Sequence, residues 1–95
     1  MSRESFGFVA FRSRQQTAAF ESALKKRTVD CRLINTPHEI GMGCGLSVKF
    51  ALTEVGTVLT LCDTLRPTAL IGVYEANWAG SRLVCKPISR TARHW

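Results

Sequence analysis

Residues 36–47 read Thr-Pro-His-Glu-Ile-Gly-Met-Gly-Cys-Gly-Leu-Ser, with Gly43 and Gly45 on either side of Cys44 and Gly41 just before them. Glycine loses more backbone freedom on folding than any other residue, so this spacing needs a reason. One reason is chemical. Glycines beside a cysteine remove the side chains that would shield its sulfur, and the amides they bare form a concavity that favours negative charge. The thiolate is such a charge, and it is the nucleophilic form of cysteine. His38, Lys49 and Arg32 are the residues nearby in sequence that can add positive charge. The other reason is geometric: the glycines make a turn, and Cys44 packs as a small hydrophobe. The residue types leave both readings open.

Other chemistries fit less well. A phosphate-binding loop would end in Lys-Ser/Thr and open a helix, and this one does neither. The four cysteines, Cys31, Cys44, Cys62 and Cys85, include no CxxC pair. A zinc site would have to combine Cys44 and His38 with distant residues, so no metal is expected, and no organic cofactor either. Cys31 and Cys62 fall on apolar faces and read as core. Cys85, between Val84 and Lys86, has the chemistry of a resolving thiol but no spacing that argues for it. No carboxylate pair and no Ser-His-Asp set is legible, and no general acid or base is evident beyond His38. His94 and Trp95 are expected to be mobile.

The elements that must position Cys44 follow from periodicity. "FGFVAF" (6–11) reads as a strand. Ser13 opens a helix with Gln16 at capping-box spacing, and Phe20, Ala23 and Leu24 mark its apolar stripe. Lys25, Lys26 and Arg27 suit the negative end of its dipole. "CRLIN" (31–35) is a second strand. "LSVKFA" (46–51) alternates, with Leu46, Val48 and Phe50 inward and Ser47 and Lys49 outward. Thr53 is placed to cap a second helix striped by Val55, Val58, Leu59, Cys62 and Leu65. "ALIGVYE" (69–75) is a fourth strand. The order β-α-β-β-α-β predicts an α+β ferredoxin-like plait, two helices on one face of a four-stranded antiparallel sheet. Both faces of the outer segments are apolar: Phe6 and Phe8 oppose Val9 and Phe11, and Ile71 and Val73 oppose Leu70 and Tyr74. Something is therefore expected to cover the second face, either the tail with Trp78 or another copy of the chain.

At 95 residues the chain suits one small domain, divided here into a ferredoxin-like domain over 1–75 and a basic tail over 76–95. The net charge is +6, and residues 76–95 hold Arg82, Lys86, Arg90 and Arg93 without an acid. Such a tail is either a solvated end or a contact for nucleic acid or an acidic protein. No apolar run approaches the roughly 20 residues of a membrane helix, and no export signal is legible, so reduced thiols in a cytoplasm are expected.

The pattern also resembles the small bacterial selenium/sulfur carrier-like family over about residues 6–75. The residues that carry the likeness are Phe11 and Ser13, Glu21, Thr36-Pro37, and above all Gly43-Cys44-Gly45. The chain departs from the family pattern at Thr17, where a small Ala is usual, at Asn35, where proline is common, and at His38, in place of a frequent arginine. The resemblance implies that Cys44 carries sulfur or selenium as a persulfide or selenosulfide, supported by Gly43, Gly45, His38, Lys49 and Arg32. Donor and acceptor proteins are then its partners; the apolar second sheet face, independently of the resemblance, makes self-association through that face an expectation. Two rivals remain: a nucleic-acid-binding plait with a basic tail, and a regulatory module whose cysteine is incidental. The first lacks the exposed aromatics on central strands that such domains use.

Overall fold

The computed structural model describes residues 4–88. Arg90, Arg93, His94 and Trp95 lie outside the described residues. Five strands, β1 (Phe6–Phe11), β2 (Cys31–Asn35), β3 (Leu46–Phe50), β4 (Leu70–Ala79) and β5 (Arg82–Pro87), form one antiparallel sheet in the order β2-β3-β1-β4-β5. Two helices, α1 (Arg14–Lys26) and α2 (Val55–Leu65), pack on one face. The class is α+β as expected, with five strands rather than four. Residues 76–79 extend β4, and a Gly80–Ser81 turn with positive φ at Gly80 returns the chain as β5.

The core between helices and sheet joins Val9, Phe11, Val48, Phe50 and Val73 to Phe20 and Leu24 of α1 and Val58, Leu61 and Cys62 of α2. Leu61 takes the inward place expected of Leu65, which is exposed. Ser13 caps α1 by accepting from the Gln16 N–H at 3.2 Å. Gln16 does not reach back to complete the box. Its amide instead binds the Ala69 N–H and the Thr68 hydroxyl, both at 2.9 Å, and so ties the start of α1 to the entry of β4. Thr53 does not cap α2, because a 3₁₀ turn over Leu52–Glu54 runs straight into the helix.

β1 and β4 change register once. Ala10 faces Gly72 and Phe11 faces Leu70, leaving Ile71 as the extra residue of a bulge. A bulge re-aims the side chains beyond it. Leu70 consequently packs with Val73 on the helix side, and Ile71 with Tyr74 on the other, reversing the expected partnership of Ile71 and Val73.

On the second face Phe8, Ala10 and Ala76 are buried against Ile40 of the β2–β3 loop and against Ile71, Tyr74, Leu83 and Cys85 of the neighbouring strands, and Phe8 stacks on Tyr74 at 5.2 Å. Ile40 comes from a short 3₁₀ turn, His38–Ile40, so the glycine loop itself closes one end of this face. Trp78 is 39% exposed.

Candidate functional site

The loop between β2 and β3 folds over the end of the sheet. The Thr36 N–H donates to the Gly45 carbonyl at 2.8 Å, closing its base, and the Cys44 N–H donates to the Phe11 carbonyl at 3.0 Å. Gly41, Gly43 and Gly45 all have positive φ, at 68°, 100° and 89°. Their reasons differ. A Cβ on Gly43 would meet Ile71 Cδ1 at 2.6 Å and the Phe11 carbonyl oxygen at 2.7 Å, so the backbone there lies flat against the bulge of β4. A Cβ on Gly45 would meet nothing within 4 Å, so only its backbone angles require glycine.

These constraints hold Cys44 half-exposed at the seam between the loop and α1. Its Sγ lies 3.6 Å from the Thr17 hydroxyl and 3.6 Å from the Leu46 carbonyl, which accepts from the thiol. Thr17 is fully buried, and its Oγ1 donates to the Ser13 carbonyl at 2.8 Å. In the sequence Thr17 stands out only as a departure from the family pattern, not as a residue of the site. Its signal was a polar side chain on the inward stripe of α1, three and seven positions before Phe20 and Leu24. The amide of Cys44 is committed to Phe11 and so is not part of an anion-binding concavity.

His38 stays at the loop, lining a hollow of about 270 Å³ with Thr36, Pro37, Gly41, Met42, Gly43 and Gly45. Lys49 and Arg32 are elsewhere. They face each other across the β2–β3 ladder and line a separate hollow of about 530 Å³ with Phe6 and Asp30. Lys49 Nζ sits 4.5 Å over the Phe6 ring. From Leu46 to Lys49 the strand covers roughly 10 Å, which carries Lys49 toward the far end of β3.

The other thiols are differently placed. None of the four cysteines is in a disulfide. Cys31 and Cys62 are buried in the core. Burial pushes the Cys31 thiol up, with Glu21 adding to the effect. Burial and then Glu39 push the Cys85 thiol up, which places Cys85 beside the 38–40 turn on the second face, while Cys44 meets α1. Among the described residues no three His, Cys, Asp or Glu side chains gather as a metal-ligand set. No described helix is long and apolar enough to cross a membrane. The central strand β1 offers no open aromatic surface on the second face: Phe8 is buried, and Phe6 is half-buried under Lys49.

Comparison with known proteins gives one match. The family described as "Putative Se/S carrier protein-like" matches residues 6–66, from β1 through the end of α2 and including the Cys44 loop. No curated protein and no solved structure matches. The family match covers most of the chain, and the chain belongs to that selenium/sulfur carrier-like family.

Proposed function

We propose that the protein carries sulfur or selenium on Cys44, as a persulfide or selenosulfide, between a donor and an acceptor protein. One observation carries this reading: within the span matched by a carrier family, Cys44 is held half-exposed by its backbone bond to Phe11 of β1 and by the Thr36–Gly45 bond that closes the base of its loop. Cys31 and Cys62 are enclosed, and Cys85 is held toward its neutral form by burial and Glu39.

In this proposal the Cys44 thiolate attacks the sulfane sulfur of a donor persulfide. The Sγ–S bond forms, the donor's S–S bond breaks, and the donor leaves as its thiolate, with no net oxidation. An acceptor thiolate later takes the outer sulfur and returns the electron pair to Sγ. Gly43 and Gly45 supply access and the backbone path. His38 is the basic side chain at the loop, whereas Lys49 and Arg32 take no part at the thiol. The chemistry calls for a compartment that keeps thiols reduced, so we place the carrier in the cytoplasm.

Discharge tests the reading. Protein loaded by a low-molecular-weight persulfide, then desalted, is mixed with a reduced acceptor thiol. A carrier returns to its unloaded mass while the acceptor gains one sulfur atom, and Cys44→Ser does neither. A persulfide that forms but never discharges would reduce Cys44 to a modified thiol.

A further inference from the structure

Thr17 is a polar residue with no exposed surface, on the same inward stripe of α1 as Phe20 and Leu24. Its hydroxyl has one proton and two neighbours that can receive it: the Ser13 carbonyl at 2.8 Å and Cys44 Sγ at 3.6 Å. The Ser13 carbonyl does not depend on that proton, because it also accepts the Thr17 N–H at 3.0 Å. The thiol is in the matching position. Its single proton can go to the Leu46 carbonyl or to Thr17 Oγ1, each 3.6 Å away.

Two proton arrangements follow. With Cys44 as a thiol, S–H donates to the Leu46 carbonyl and the Thr17 hydroxyl donates to Ser13. With Cys44 as a thiolate, sulfur can only accept, and the Leu46 carbonyl now presents it with a repelling dipole. Turning the Thr17 hydroxyl about its Cβ–Oγ1 bond aims its proton at Sγ without moving a heavy atom. Ser13 keeps the backbone N–H, so the turn of the hydroxyl does not strand the Ser13 carbonyl.

We infer that Thr17 is a positioning residue for Cys44: a hydroxyl switch that donates to Sγ whenever charge resides there. This rests on the reading of Cys44 as the sulfur-bearing thiol. Charge sits on Sγ before it attacks the donor persulfide and again when the acceptor removes the outer sulfur. Between those events the charge belongs to the outer sulfur, and the hydroxyl reverts to Ser13.

The test compares wild type, Thr17→Val, Thr17→Ala and Thr17→Ser. Iodoacetamide labelling of Cys44 at neutral pH is followed by peptide mass, and persulfide discharge to a small thiol is timed in the same proteins. A hydrogen bond to a charged group is worth about tenfold or more in thiolate population. Lower intrinsic nucleophilicity offsets part of that, leaving labelling about threefold slower without the hydroxyl. Val and Ala should both show this loss, Ser should restore the rate, and all four should label alike in denaturant. Discharge should slow in Val and Ala, because Sγ is there the leaving group. The Ala variant serves if the Val variant does not fold. Wild-type labelling and discharge rates in a folded Val or Ala variant would overturn the inference, as would Ser behaving like Ala. If Thr17 governs labelling while no persulfide is carried, the switch stands and the carrier reading falls. If sulfur is carried at rates indifferent to Thr17, only the switch falls.

Discussion

A glycine with positive φ in open space and one pressed against a neighbouring backbone are different requirements, and the Cys44 loop contains both. Gly45→Ala has only the left-handed angle to bear, a cost of about 1 kcal/mol. Gly43→Ala carries that cost and must also push back Ile71 and the Phe11 carbonyl that anchors the Cys44 amide, for a total of about 3 kcal/mol. Denaturant midpoints of the two variants check this ordering, and equal midpoints would contradict it. The sequence made the Gly-Cys-Gly spacing legible and suggested that it bares a thiol. It did not reveal that Gly43 is held against β4, because the bulge at Ile71 that creates the contact is set by pairing between distant segments. Lys49 and Arg32 were near Cys44 only in sequence; an extended strand separates them from it. Thr17, distant in sequence, comes within 3.6 Å because α1 begins beside the loop.

Among the elements, the strands and helices that position the loop were readable from period alone. The alternation of "LSVKF" placed Val48 and Phe50 in the helix-side core, and Ser13 capped α1 as its spacing implied. β5 is less legible: Gly80-Ser81 between two strand-like runs is a hairpin signal, but positive charge without an acid over residues 76–95 is equally the pattern of a solvated tail. That hairpin matters to packing, since Leu83 and Cys85 lie on the second cluster with Phe8 and Ala76. Ending the chain at Ala79 should therefore lower unfolding free energy by about 3 kcal/mol, the scale of two partly buried side chains. Urea titration of the shortened chain checks this, and an unchanged midpoint would show that β5 adds nothing to the fold.

For the whole molecule, the two apolar faces of the sheet are enclosed differently: helices pack on one, and on the other the 38–40 turn joins side chains of β4 and of the edge strand β5 around Phe8. The same enclosure sets an alkaline limit. Burial raises the Cys31 and Cys85 thiols and the Tyr74 phenol above their ordinary values. Groups held neutral by the fold contribute stability in full below their unfolded values, about 8.5 for a thiol and 10 for a phenol, and lose it as pH rises through the folded ones. Unfolding free energy should accordingly fall from about pH 8.5 upward, and a flat profile to pH 10.5 would contradict the enclosure of these groups.

The central claim is that sulfur resides on Cys44, and peptide-resolved mass measurement after loading with a low-molecular-weight persulfide tests it most directly. The account predicts a gain of one sulfur atom on the peptide bearing Cys44, removed by reductant and absent in Cys44→Ser. A gain confined to Cys31, Cys62 or Cys85, or one that persists undiminished in Cys44→Ser, would contradict it.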